Sequence, residues 1–144
     1  MPGNEIPRKQ MNRLILAATI LFGLFIARIV YLADSSQNCV FFDLVKAVPL
    51  GDKIGHFFLF GVLALGANFA FRSRGFAIGR MLVPFGALLV FLLAAGEELS
   101  QRFFASRTCD ITDLMADLTG IVVFSALGFF LVTAMRKRRT SQNT

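Results

Sequence analysis

The chain has 144 residues, 56% of them hydrophobic and 17% charged, with fifteen Lys and Arg against nine Asp and Glu for a formal charge of +6. That length holds one domain, and a mean hydropathy of +0.66 means more apolar surface than a water-soluble domain of this size can bury. A large two-domain enzyme, a collagen-like fibre and a disulfide-dense secreted scaffold are excluded, and the hydrophobicity makes a lipid bilayer, not nucleic acid, the expected partner.

Four apolar runs follow in chain order. Residues 14–32 (LILAATILFGLFIARIVYL) carry one interior charge, Arg28. Residues 54–71, 81–96 and 114–135 complete the set, the third able to continue as helix into residues 97–101. Each is near the roughly 20 residues that cross a hydrocarbon core as helix, and isolated strands cannot satisfy their backbone in lipid. Pro84 is expected in the first turn of the third helix, where its missing N–H costs little. The predicted fold is all-α, an integral membrane four-helix bundle. Its domains are an N-terminal tail (1–13), the transmembrane unit (14–135) and a basic C-terminal tail (136–144). Arg8, Lys9 and Arg13 before the first run also fit a signal peptide, but the run is long and no A-x-A site follows, so an uncleaved helix is expected.

Basic residues set the orientation. Arg8, Lys9 and Arg13, then Arg72, Arg74 and Arg80, then Arg136, Lys137, Arg138 and Arg139 fall in three segments that hold one acid, Glu5. The positive-inside rule puts these segments and both termini in the cytoplasm of a bacterial inner membrane. The other eight acids then lie at or near the outer surface. In the first outer loop, Val40, Phe41, Leu44, Val45 and Val48 recur at helical spacing before Pro49 and Gly51, which suits a short interfacial helix or a lid over the bundle. Cys39 and Cys109 both fall on the outer, oxidising side, where a disulfide or two free thiols would fit.

Polar residues collect at the outer ends of the runs. Asp52 and His56 are one helical turn apart at the start of the second helix, where Asp52 can act as a capping acid. Glu98 and Gln101 share a side at the end of the third. Arg107 and Asp110 lie in the next loop, and Asp113 and Asp117 are one turn apart on the fourth helix. An ionisable group at membrane depth is expensive, so His56, Glu98 and Asp117 should face one another, joined by Lys53 and Arg107. The cluster reads either as a polar pocket or as an ion-pair network that only fixes helix register. With one His and no H-x-x-x-H or paired C-x-x-C spacing, no metal is expected, and no cofactor. Thr112, Ala116 and Gly120, and Gly61, Ala64 and Asn68, are small-residue stripes for close helix packing.

D-K-x-x-H at residues 52–56, E-x-x-Q at 98–101 and R-T-x-D-x-x-D-L-x-x-D-x-x-G at 107–120 together resemble the VanZ-like family of small membrane proteins. Asp117 stands where that family's pattern usually has Asn. The resemblance implies shared residues at Asp52, Lys53, His56, Glu98, Gln101, Arg107, Asp110, Asp113 and Gly120. It also implies a setting in the cell envelope, through a teicoplanin-resistance determinant. Three functions are compatible with the residues. The first is binding or modulation of an anionic envelope lipid or peptidoglycan precursor, with Asp52, Lys53, Gln101, Arg107, Asp110, Asp113 and Asp117 as ligand-binding residues. The second is an enzyme acting on a lipid-linked phosphate or ester, with Glu98 orienting His56 as acid–base pair. The third is proton or ion transport, which four short helices would support only as a homo-oligomer.

Overall fold

The computed structural model describes residues 7–34, 48–103 and 110–142. Four helices carry these segments: α1 (Arg8–Asp34), α2 (Gly51–Ala70), α3 (Phe85–Ser100) and α4 (Ile111–Gln142). Between α2 and α3 lies a two-stranded hairpin, β1 (Gly75–Ile78) and β2 (Met81–Pro84), and a 3₁₀ turn at Gln101–Phe103 follows α3. Three helices hold stretches long and apolar enough to cross a membrane: Lys9–Leu32, Gly51–Ala70 and Ile111–Ala134.

The third apolar run departs from expectation. Residues 81–84 pair as β2 with β1, in the register Gly75↔Pro84, Phe76↔Val83, Ala77↔Leu82 and Ile78↔Met81. Pro84 is extended (φ −68°, ψ 140°) and caps α3, so it does not sit in the helix's first turn. Proline favours this outcome, because it disfavours helical backbone in the residue before it. Gly79 (φ 60°) supplies the positive φ that a two-residue hairpin turn asks of its first central residue. At 16 residues, α3 is about 24 Å long, short of a hydrocarbon core of about 30 Å.

Helix α2 sits at the centre, packing against α1, α3 and α4. The buried core follows from this: Phe60, Leu63, Ala64 and Ala67 of α2 meet Ala87, Val90 and Ala94 of α3, Ile121 of α4 and Ile26 of α1. Small residues allow the approach. A Cβ on Gly120 would overlap the Phe57 carbonyl, and one on Gly66 would come within 2.7 Å of Thr19 Oγ1. Phe57, Phe58 and Phe124 fill the α2–α4 seam edge to face, with centroids 5.1–6.0 Å apart. Outward-facing Leu, Ile, Val and Phe cover the remaining helix faces, as lipid contact requires. On α1, the Arg28 guanidinium lies 6.0 Å from the Tyr31 ring centroid.

Asn68 ties the far end of α2 to two neighbours. Its Nδ2 donates to Ser125 Oγ at 2.8 Å, and its Oδ1 accepts the Ala87 N–H at 2.8 Å. The second bond satisfies a first-turn amide of α3 that Pro84 has no side-chain donor or acceptor to cap. It is buried polar bonding of the kind that fixes register between helices.

Candidate functional site

Helices α2 and α4 run parallel, so their first turns lie at the same end of the molecule. Contacts from Lys53–Asp113 through His56–Asp117 to Gly61–Phe124 show the shared direction. Each helix begins with polar residues four apart, Asp52 and His56 on α2 and Asp113 and Asp117 on α4, spaced about 6 Å along the axis. Helix α3 runs the other way and delivers Glu98 and Gln101 to that end.

Two connected groups result. In the first, Lys53 Nζ lies 2.8 Å from Asp113 Oδ1 and 3.3 Å from Asp110 Oδ2. His56 Nδ1 lies 2.9 Å from Asp117 Oδ1, while Nε2 is 4.0 Å from Asp52 Oδ1. The imidazole also stacks on Phe60, with centroids 6.0 Å apart. In the second group, Glu98 Oε1 accepts the Asp110 N–H, and Gln101 Nε2 donates to Glu98 Oε2 at 3.2 Å and Glu97 Oε1 at 2.9 Å. Glu98 thereby ties the end of α3 to the start of α4.

Glu98, Gln101 and Asp113 are buried, and Asp117 is 0% exposed. One Asp117 oxygen, Oδ2, has no hydrogen-bond partner among the described residues. A buried carboxylate in that condition needs a positive neighbour, since leaving it uncompensated costs several kcal/mol. His56 is the group that touches it.

Asp110 is the N-cap of α4. Its Oδ1 accepts the Thr112 N–H at 2.9 Å and its carbonyl accepts the Asp113 N–H at 2.9 Å. The Thr112 hydrogen bonds, with Lys53 alongside, hold the Asp110 carboxyl below its ordinary value.

Several expected placements change. The enzyme reading has Glu98 orient His56; the carboxylate in contact with His56 is Asp117, because parallel α2 and α4 bring their first turns into register while Glu98 accepts the Asp110 amide. Asp52 was expected to cap α2, but Leu50 (φ 59°) holds that position without a side-chain bond. Asp52 instead lies in the first turn, two-thirds exposed, opposite His56. Arg107, Cys39, Cys109 and the interfacial helix around residues 40–47 fall outside the described residues.

A cavity of about 550 Å³ lies elsewhere. It opens between the hairpin, α3 and the middle of α4, lined by Asn68, Arg80, Leu82, Phe91, Ile121 and Phe129 among others. It is mainly apolar and shares no lining residue with the polar cluster.

Spacing along the chain did not reveal one grouping. Asp52, His56 and Asp113 each bring a donor atom within 4.8 Å of the others'. Two of the three are an i, i+4 pair on α2, and the third comes from α4, 57 positions after His56 by residue number. Two such pairs on helices of shared direction were the available signal.

The VanZ/LLP1 family model matches residues 6–136. No curated protein and no solved structure matches the chain.

Proposed function

The chain belongs to the VanZ/LLP1 family, and from that premise we propose that it is a multi-pass protein of the bacterial cytoplasmic membrane whose polar cluster binds or modulates an anionic cell-envelope component. In this reading both termini are cytoplasmic and the cluster opens at the outer face. What supports it is the burial of Asp113, Asp117 and Glu98 at the ends of apolar helices. Ionisable groups there cost a few kcal/mol each on insertion scales and mark a working site by default. Lys53 is a third exposed while held by Asp110 and Asp113, so its ammonium is accessible to a phosphate or carboxylate. The exposed Arg72, Arg74 and Arg80, at the opposite end of α2, support the orientation.

The test is mass spectrometry of lipids and envelope precursors extracted from full-length protein purified in a mild detergent. An anionic component enriched over the bulk membrane, and lost in a folded Lys53→Gln variant, is the expected result. Recovery of the bulk composition alone overturns the reading. Altered glycopeptide susceptibility of expressing cells is the corresponding envelope-level readout.

A second reading, acid–base chemistry on a lipid-linked phosphate or ester, is favoured by the 2.9 Å His56–Asp117 contact, which fixes the imidazole's orientation. A new product from envelope lipids incubated with the purified protein would distinguish it from binding alone.

A further inference from the structure

We propose that Asp52, His56 and Asp113 form a binding site for a divalent transition-metal ion, zinc before the others, with Asp117 as the positioning residue behind His56. The inference rests on the reading above and deepens it, because it names the cation through which an acid-rich site would hold an anion.

The first argument is geometric. One donor atom from each of the three residues lies within 4.8 Å of the others. With bonds of about 2.0–2.2 Å in the tetrahedral arrangement that zinc prefers, two ligand atoms lie about 3.3–3.6 Å apart. The site must therefore contract by roughly an ångström. Asp52 can supply its part of that movement, since its side chain is 68% exposed in the first turn of α2.

The second argument is the direction of the imidazole. Nδ1 faces Asp117 at 2.9 Å, and Nε2 faces Asp52 at 4.0 Å. With the proton on Nδ1 donated to Asp117, Nε2 carries a lone pair on the side of Asp52. A carboxylate behind a histidine is how metal-binding imidazoles are held in one tautomer and made more basic.

Asp117 supplies an independent observation. It is wholly buried, and its Oδ2 has no hydrogen-bond partner among the described residues. A cation on Nε2, in place of a second ring proton, would give the imidazole positive character beside this carboxylate. The charge balance points the same way: Asp52, Asp110, Asp113, Asp117 and Glu98 converge on this end, against Lys53 and, when protonated, His56 among the described residues.

The donor set selects the ion. One imidazole nitrogen with two carboxylates suits zinc and its first-row neighbours, whereas magnesium and calcium prefer oxygen throughout. Three protein ligands leave a fourth position open. A water could fill it, or an oxygen of an anionic headgroup.

The experiment titrates Zn²⁺ into full-length protein in detergent, after chelator treatment and desalting, against a zinc-sensitive dye, with metal per chain counted by mass spectrometry. Expected is one Zn²⁺ per chain that excess Mg²⁺ does not displace. Asp52→Asn and His56→Gln should abolish stoichiometric binding, and Asp117→Asn should weaken it by about 10–100-fold. Asp52→Asn alters an exposed side chain, so it tests the site even if His56→Gln fails to fold. No stoichiometric zinc, or wild-type binding by Asp52→Asn, overturns the proposal. Zinc failing to bind while an anionic component still co-purifies removes the metal site alone. Zinc bound with no component enriched leaves the metal site standing and removes the functional reading.

Discussion

Replacing Gly120 with alanine should separate α2 from α4 and disturb the polar cluster from a position outside it. The new Cβ would overlap the Phe57 carbonyl oxygen and lie 2.9 Å from Phe57 C and 3.0 Å from its Cα. Carbon atoms pack comfortably at about 3.5–4.0 Å, so the two backbones must part by something on the order of 1 Å. They cannot yield locally, because the obstruction is main chain. A shift of that size would stretch the 2.9 Å His56–Asp117 contact beyond hydrogen-bond range. Overpacking of this kind costs about 1–3 kcal/mol. Taking about 2 kcal/mol, the folded fraction falls relative to unfolded by roughly thirtyfold. Thermal unfolding of the detergent-purified protein reads the effect, with Gly96→Ala as the control. A Cβ on Gly96 meets nothing within 4 Å, and removing a mid-helix glycine should be neutral or stabilising by up to about 1 kcal/mol. If the two variants melt alike, Gly120 is not the point of closest approach and the stated packing of α2 on α4 is wrong.

Two further perturbations probe the ends of α2 and α4. Asn68→Leu removes the acceptor for the Ala87 N–H and the donor to Ser125; a buried unsatisfied amide costs about 1–3 kcal/mol, so the variant should melt well below wild type while Ser125→Ala loses less. Equal melting of wild type and Asn68→Leu would remove Asn68 as the tie between α2 and α3. Asp110→Asn keeps a side-chain oxygen for the Thr112 N–H but cannot titrate. Because the Asp110 carboxyl is held below its ordinary value, its contribution to stability is present above the usual carboxylate range near pH 4 and is lost as pH falls through the folded value. Melting temperature followed from neutral to acid pH should therefore drop less steeply in Asp110→Asn than in wild type, and superimposable profiles would refute the cap's share.

Hydropathy, a local and additive property, was readable without any contact. The apolar stretches at 14–32, 54–71 and 114–135 appear, Phe71 apart, within α1, α2 and α4, and the sequence motifs led to the family. The third stretch starts as strand, not helix. Hydropathy does not distinguish a buried helix from a paired strand, and residues 81–84 pair with Gly75–Ile78, a segment outside every apolar run. The small residues Gly61 and Gly120 could be singled out by spacing, but not which backbone each would touch.

The polar residues show the same division. Their types and their i, i+4 steps could be read from the chain, as could the cost of placing them at membrane depth. Which residue answers which depends on the relative direction and axial offset of three helices, and no local pattern encodes that. Parallel α2 and α4 join His56 to Asp117, while the end of antiparallel α3 commits Glu98 to the Asp110 amide. Asp52, His56 and Asp113 come within reach of one ion for the same reason: their donors converge from two helices. Sequence determined that costly polar groups would gather at one end of an apolar molecule, because burying them alone is prohibitive; tertiary packing decided the partners, because only helix direction and register bring distant donors within a few ångströms.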